Sequence, residues 1–405
     1  MTTLTLTQHR PKSGVRLSIQ ERDLLASLVP DLSISPQAGS ESVYELVAGS
    51  RIGNVVVGDL SIQIQPKIQI ERVLFLLSYA LDPVRWMSNP FDFQVDDSLV
   101  EAVIPGFVSH LRRAFRAGVL QGYRTEEDAL ATVRGRVRFE DQVKRRYGIA
   151  PPIEVRFDEF SENITENQLL KAAITRLGKL QIRSEANRRS LRQFDSLLAH
   201  VTDVEFGTSL PEIRFTRLND RYEAALKLAK LILRSTSFET DHGKMRGIAF
   251  LVDMNRAFED FVVVALREAL QLTERDFPQG SKGRGLTLDV RGKIKLEPDI
   301  SWWDAGTCVF VGDAKYKRIR AEGIKHPDLY QLLSYVIAAD LPAGLLIYAA
   351  GEADPVIHEV IRLGKRLEVA SLDLKGDERS ILNQVKVLAQ RIRRLRLAVP
   401  ELATP

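Results

Sequence analysis

Two acidic segments in the last third of the sequence contain the residue types needed for hydrolytic chemistry. Asp299 follows a proline, and Asp313 ends an apolar run at 309–311 and stands two positions before Lys315. If these segments are strands, Asp313 and Lys315 point to the same face, because side chains alternate along a strand. Two carboxylates at one point bind a hard cation such as Mg²⁺, and a lysine beside them stabilises developing negative charge. The pattern indicates phosphodiester hydrolysis, with a surface salt bridge as the alternative.

Two predicted helices offer further polar side chains to this site. Glu259 lies beside the apolar stripe of a predicted helix at 252–271, where it is either a third carboxylate or an ordinary surface charge. Gln331 and Tyr335 are four residues apart on a predicted helix at 326–339, so they share a face. Such a pair is also common on a plain polar face.

The elements that must position these residues suggest an α/β arrangement at the C-terminus. Strands are predicted near 285–291, 294–303, 307–315 and 343–350, and a last helix at about 378–397. The N-terminus reads as β-rich, with a hairpin at Gly58-Asp59, and helical periodicity begins at about Glu71. The polar segment 235–247 is a candidate boundary. We therefore predict an α+β multidomain protein with a β-rich domain at 1–70, a mainly helical region at 71–240 and an α/β domain at 241–405.

Three arginines in the middle region stand at alternate positions. If the segment around Arg134, Arg136 and Arg138 is a strand, all three share one face. Such a face suits a phosphate backbone or an acidic partner, whereas an ordinary solvated strand face is the simpler interpretation.

Composition excludes several classes of protein. Of the 405 residues 44% are hydrophobic and 27% are charged, which is typical of a globular chain with two or three domains. Cys308 is the only cysteine, so disulfide frameworks and zinc sites of paired cysteines are excluded. No apolar run is long enough to span a membrane, and Met1 to Arg10 lacks the apolar segment of a signal peptide, so we expect a cytoplasmic protein. The net charge of +4 permits contact with nucleic acid.

The ordered set of Glu259, Pro298-Asp299, Asp313-x-Lys315 and Gln331-x-x-x-Tyr335 resembles the PD-(D/E)xK nuclease superfamily, with a last motif like that of RecB-type nucleases. This resemblance implies Glu259, Asp299 and Asp313 as ligands of Mg²⁺ and Lys315 as the charge-stabilising residue. Gln331 and Tyr335 would then position DNA or the metal site.

Other motifs resemble the McrC family, the nuclease subunit of McrBC-type restriction systems, over about residues 45–350. They are GDLSIQIQPKI at 58–68, VRGR at 133–136, DEFS at 158–161, NQLLK at 167–171 and DMNRAFE at 253–259. The resemblance implies an endonuclease that cleaves modified, methylated DNA, with its PD-(D/E)xK domain at 241–405. It also implies a hexameric McrB-like AAA+ GTPase partner, which docks on the helical region 71–240 and is stimulated by the chain.

The sequence contains no Gly-x-x-x-x-Gly-Lys-Ser/Thr loop, so we expect this chain to bind no nucleotide and the motor to be another polypeptide. Two alternatives stay open. The first is a stand-alone RecB-like repair nuclease. The second is a subunit that activates an AAA+ NTPase without cleaving DNA.

Overall fold

The computed structural model describes residues 2–39, 42–81, 83, 98–146, 151–204, 210–241, 245–280, 286–317, 326–349 and 356–397. Over these residues the chain has mixed α and β content, which confirms the α+β character predicted from its periodicity. The α-helices are Ile19–Leu28, Ile70–Leu81, Leu99–Ala114, Phe139–Arg146, Thr165–Gly178, Glu185–Leu197, Glu223–Ser235, Met254–Leu270, His326–Ala338 and Glu378–Leu397. The β-strands are Thr2–Thr7, Pro11–Arg16, Ser33–Pro36, Val43–Val47, Arg51–Val57, Leu60–Gln65, Gly122–Leu130, Arg136–Val137, Ile153–Ser161, Thr236–Asp241, Met245–Asp253, Leu286–Thr287, Lys295–Leu296, Ile300–Asp304, Thr307–Lys315, Ala343–Ala349, Val356–Glu359 and Arg366–Leu372.

The chain divides into two compact units, each made of separate chain segments. The first unit consists of Met1–Thr2, Asn54–Ser61 and Leu99–Phe250. The second consists of Thr3–Gly53, Ile62–Ser98 and Leu251–Pro405. A five-stranded sheet has the strand order Thr2–Thr7, Leu60–Gln65, Arg51–Val57, Met245–Asp253, Thr236–Asp241.

The first unit combines packed helices with a small sheet. Its helix Thr165–Gly178 contacts both Glu185–Leu197 and Glu223–Ser235 through apolar residues at helical spacing, such as Leu170 and Leu177, which are fully buried. Its sheet pairs Gly122–Leu130 with Ile153–Ser161 in an antiparallel register from Gly122↔Ser161 to Leu130↔Ile153. Arg136–Val137 adds a short third strand at Arg156 and Val155.

The second unit contains the sheet on which the acidic segments lie. Its strand order is Ile300–Asp304, Thr307–Lys315, Ala343–Ala349, Arg366–Leu372, Val356–Glu359. The first pair is antiparallel, the next two pairs are parallel and the last pair is antiparallel. The inner strand Ala343–Ala349 is buried along its whole length, as expected for a parallel strand covered on both faces.

Three helices pack against this sheet and hold its position. His326–Ala338 buries Leu332 and Val336 in a cluster with Val311 and Leu346 of the sheet. Met254–Leu270 and Glu378–Leu397 pack against each other and against the strand Thr307–Lys315. Asp253 caps the first of these two helices, because its carboxylate accepts from the Asn255 amide at 2.9 Å.

Some segments contain elements that the sequence pattern did not predict. The segment 235–247, the candidate boundary, contains paired strands, because Thr236–Asp241 pairs with Met245–Asp253 in an antiparallel ladder. The division between the two compact units falls at Phe250 and Leu251, inside the second of these strands. The region 71–240 also contains the three-stranded sheet of the first unit in addition to its helices. Backbone pairing satisfies polar stretches, and local composition does not reveal it.

Candidate active site

Asp313 lies on the strand Thr307–Lys315, between an antiparallel and a parallel neighbour. It is in register with Leu346, and its side chain is only 1% exposed. Its Oδ1 atom has no hydrogen-bond donor among the described residues. The two strands approach closely here, since a Cβ atom at Gly312 would lie 2.6 Å from the Leu345 carbonyl oxygen, so only glycine fits before the aspartate.

Asp299 is held beside Asp313 by a backbone contact. It immediately precedes the strand Ile300–Asp304, whose Ile300 is in register with Gly312. The Oδ2 atom of Asp299 accepts a hydrogen bond from the Ala314 amide at 3.1 Å. The two carboxylates that the sequence predicted to meet therefore do meet, at the end of the paired strands.

Lys315 supplies the positive charge at this point. Its Nζ atom lies 2.5 Å from Asp313 Oδ2 and 3.6 Å from Asp299 Oδ2. Burial by itself would lower the pKa of Lys315, but the charges of Asp313 and then Asp299 raise it above its ordinary value. Lys315 is therefore a firmly charged ammonium group between two carboxylates, as the Asp-x-Lys spacing predicted.

Glu259 completes the electrostatic environment from the helix Met254–Leu270. Burial and then the charge of Asp299 raise the pKa of Glu259 to about 7, while Lys315 opposes the shift. Burial and then the charge of Asp299 likewise raise the pKa of Asp313 to about 8. Glu259 and Asp313 thus respond to the same local field, and a further cation nearby would favour their charged forms.

Tyr335 and Gln331 connect the helix His326–Ala338 to the acidic segment. The Tyr335 hydroxyl accepts from Gln331 Nε2 at 2.8 Å and donates to the Glu297 carbonyl oxygen at 3.2 Å. Burial and then the charge of Asp313 raise the pKa of Tyr335 to about 12. Tyr335 therefore stays protonated at neutral pH and fixes the backbone two residues before Asp299.

The sequence interpretation missed a neighbouring polar cluster. Lys317 Nζ lies 2.6 Å from Asp328 Oδ2, and the Tyr348 hydroxyl donates to the same carboxylate at 2.5 Å. The signal for Lys317 was present, because it continues the alternation of Asp313 and Lys315. No sequence signal indicated Tyr348, since its position beside this cluster depends on the parallel register Lys315↔Tyr348.

Arg134, Arg136 and Arg138 belong to the first compact unit, whereas the carboxylates belong to the second. The three arginines do not form one strand face. The strand contains only Arg136–Val137. Arg134 lies over the Phe157 ring, 4.1 Å from its centroid, and Arg138 pairs with Glu127 at 2.9 Å. Arg136 is exposed and has no ion pair among the described residues.

The donor set suits a hard divalent cation in charge and chemistry, because it consists of carboxylate oxygens with one buried oxygen lacking a donor. Within the described ranges, no group of three or more His, Cys, Asp or Glu side chains is arranged to hold a metal ion. Lys315 is the cation that neutralises Asp299 and Asp313 in this arrangement. Across the same ranges, no helix is both long and apolar enough to cross a membrane.

One protein-family model matches most of the chain. A family model described as McrBC 5-methylcytosine restriction system component matches residues 46–349, about three quarters of the sequence. The chain belongs to this family. The match confirms the resemblance carried by the motifs at 58–68 and 253–259.

Two solved structures are similar to the chain. A chain from the refined half-complex of the tetradecameric assembly of Thermococcus gammatolerans McrB AAA+ hexamers with bound McrC is similar with a TM-score of 0.54 and 18% identity, covering 96% of this chain and 100% of that one. A chain of the cryo-EM structure of the Thermococcus gammatolerans McrBC complex has a TM-score of 0.41 and 20% identity, covering 66% and 88%. None of the curated proteins matched. The first comparison shows that the fold of this McrBC family member is similar to that of a component of a McrBC complex.

Proposed function

We propose that this McrBC family member is the Mg²⁺-dependent DNA endonuclease subunit of a McrBC-like restriction complex, with a PD-(D/E)xK nuclease domain in its C-terminal part. The observation that carries the proposal is the convergence of Asp299, Asp313 and Lys315 within 3.6 Å at the ends of paired strands. The order of these residues along the chain is that of the nuclease motif. The substrate is double-stranded DNA with modified, methylated cytosine.

The side chains divide the chemical work. Asp299 and Asp313 would hold the cation, and Glu259 is the third carboxylate available to it. A bound divalent cation withdraws charge from a phosphodiester oxygen and favours deprotonation of water. Lys315 places a fixed positive charge where negative charge develops on the phosphate in the transition state. Tyr335 keeps the segment that precedes Asp299 in place, with Gln331 as its hydrogen-bond partner.

The proposed partner is a hexameric McrB-like AAA+ GTPase that this chain stimulates. Family membership supports this proposal, and so does the likeness of fold to a component of an assembly described as McrB hexamers with bound McrC. Arg136 is the residue of the three arginines best suited to reach an anionic partner, since Arg134 and Arg138 are engaged within their own sheet. A guanidinium group suits phosphate charge.

Reconstitution tests the proposal. The purified chain is mixed with a McrB-like AAA+ GTPase, GTP, Mg²⁺ and a methylated DNA plasmid. We expect double-strand cleavage and faster GTP hydrolysis only when both proteins are present. Cleavage without the partner would favour a stand-alone repair nuclease, and stimulated GTP hydrolysis without cleavage would favour a non-cleaving activator.

A further inference from the structure

A β-hairpin projects from the segment that leads into the candidate active site. Leu286 pairs with Leu296 and Thr287 with Lys295, and the turn is closed by bonds from the Leu288 amide to the Ile294 carbonyl and from the Gly292 amide to the Asp289 carbonyl. We call residues 286–296 the arm. It ends three residues before Asp299.

The base of the arm is packed against the apolar core, whereas its turn is exposed to solvent. Leu286 and Leu296 pack against the apolar cluster that contains Tyr335 and Leu346. Toward the turn, by contrast, the apolar side chains are solvent-exposed: Leu288 is 44% exposed, Ile294 is 52% exposed and Val290 at the tip is fully exposed. Single exposed apolar residues are ordinary on protein surfaces, but three on one short hairpin indicate a contact surface.

The charge of the arm shows which partner it fits. Arg291, Lys293 and Lys295 are all exposed, and none has an ion pair with any described residue. The one acidic residue of the arm, Asp289, uses its carboxylate inside the turn, where it accepts from the Ile294 amide at 2.7 Å. Unpaired basic groups around an apolar tip suit a polyanion with an apolar interior surface, which is the chemistry of duplex DNA.

The dimensions of the arm also suit DNA. From Leu296 to Val290 the chain can extend at most about 20 Å, at roughly 3.3 Å per residue. The major groove of B-DNA, about 12 Å wide, admits a two-stranded β-ribbon. An arm anchored beside Asp299 and Tyr335 can therefore enter a groove next to a phosphodiester bound at the carboxylates.

We propose that the arm is a DNA-contacting element of the nuclease site, which enters the major groove beside the cleaved bond. Arg291, Lys293 and Lys295 contact backbone phosphates, and Val290 lies against base edges. The proposal rests on the proposed function in one respect only, namely that DNA is the substrate of the site. An exposed apolar hairpin could instead dock a protein partner, but that alternative gives the unpaired basic residues no role.

DNA binding by the full-length chain tests the arm separately from catalysis. The affinity for a short fluorescent duplex is measured by anisotropy in EDTA over a range of salt concentrations, for wild type and for the variant Arg291→Ala/Lys293→Ala/Lys295→Ala. We expect about tenfold weaker binding or more. The negative slope of log K against log salt concentration should become shallower by about 2.7, which corresponds to three lost phosphate contacts.

A matched variant controls for net charge. Arg10, Lys12 and Arg16 are exposed basic residues of the same compact unit, and replacing all three with alanine removes the same charge. This control should keep wild-type affinity and slope. Equal losses in both triple variants, or no loss in the arm variant, would overturn the proposal.

The tip is tested by Val290→Asp against Val290→Thr. A carboxylate facing base edges and phosphates should weaken binding about tenfold, whereas the nearly isosteric threonine should not. Undiminished DNA affinity of Val290→Asp, with impaired stimulation of the partner GTPase, would assign the tip to a protein contact and overturn the proposal. If the arm variants weaken DNA binding but the wild-type complex cleaves no DNA, the role of the arm in DNA binding is supported and the nuclease function is refuted.

Discussion

At the scale of single residues, Asp313 has the largest expected effect on cleavage. Its carboxylate is buried, lies 2.5 Å from Lys315 and faces Asp299. We expect Asp313→Asn to abolish Mg²⁺-dependent DNA cleavage, because one oxygen ligand and one negative charge are lost while the shape is kept. Cleavage by the reconstituted complex is the measurement. Asp304→Asn, at the exposed end of the neighbouring strand, is the control and should cleave normally; full activity of Asp313→Asn would remove it from the site.

Lys315 has a different expected effect, since it acts on the phosphate. We expect Lys315→Ala to slow cleavage by about 10²-fold, the order of magnitude for removing one preorganised charge from a transition state. Single-turnover rates at saturating Mg²⁺ measure this effect. Lys365→Ala, which breaks the 3.0 Å ion pair to Asp340 away from the site, should leave the rate unchanged. A rate for Lys315→Ala within a few-fold of wild type would make this lysine an ordinary structural charge.

The raised pKa of Asp313 predicts a pH-dependent stability in the absence of divalent cation. With a pKa of about 8 in the folded chain against 3.8 ordinarily, the folded state binds an additional proton between these values. The free energy of unfolding therefore falls as pH rises from about 4 to about 8, by on the order of 1 kcal/mol or more. Thermal unfolding in EDTA should show this fall in wild type and a smaller one in Asp313→Asn. Added Mg²⁺ should restore stability at high pH in wild type only, and parallel pH profiles of the two proteins would contradict the shift.

At the scale of elements, Tyr335 joins a helix to the segment that precedes a strand. We expect Tyr335→Phe to lower the cleavage rate about 10- to 100-fold, as for loss of a residue that orients metal ligands. The hydroxyl donates to the Glu297 carbonyl, so its loss frees the segment that carries Asp299. A weaker apparent affinity for Mg²⁺ would accompany the slower rate and identifies a positioning effect. Tyr330→Phe on the exposed face of the same helix should change neither quantity.

Sequence periodicity predicted the elements whose hydrophobic pattern is continuous. The helix Glu378–Leu397 and the strand Thr307–Lys315 begin and end where the pattern does. It failed where structure depends on pairing, as in the ladder of Thr236–Asp241 and in the arm, where strand pairing is reduced to two residues on each side. The spacing of Thr165 and Gln168 is that of a capping box, but Gln168 donates to Asn163 at 2.9 Å instead. The proximity of Asp313 and Lys315 was predictable because strand alternation alone brings them to one face.

At the scale of the whole molecule, the two compact units are not consecutive stretches of sequence. A cut near residue 240 would separate Thr236–Asp241 from its partner strand. It would also separate the helix Ile70–Leu81 from Met254–Leu270, where Phe75 and Phe261 are in edge contact with ring centroids 5.2 Å apart. Docking and cleavage must therefore be separated by point variants of the full chain rather than by fragments.

We expect point variants to separate stimulation of the partner GTPase from DNA cleavage. We expect Arg136→Ala to reduce stimulation of the partner GTPase nearly as much as Arg134→Ala/Arg136→Ala/Arg138→Ala, because Arg136 is the one of the three without an ion pair among the described residues. Asp313→Asn should stimulate fully, since the proposed role of its carboxylate is in cleavage only. GTP hydrolysis by the partner at fixed concentration is the measurement. Full stimulation by the triple variant would remove the arginines from the docking surface.

Gly312 makes the placement of the Asp313 carboxylate a property of the sheet, with an evolutionary consequence for the proposed nuclease. Alanine there would press a methyl group against the Leu345 carbonyl of the neighbouring strand, so the strands must separate and carry Asp313 with them. A lineage under selection against self-damage could thus silence its nuclease in one mutational step, with every acidic and basic residue still present. Descendants of such an event would keep all the signature motifs, and only the residue before the aspartate would reveal that cutting had been lost.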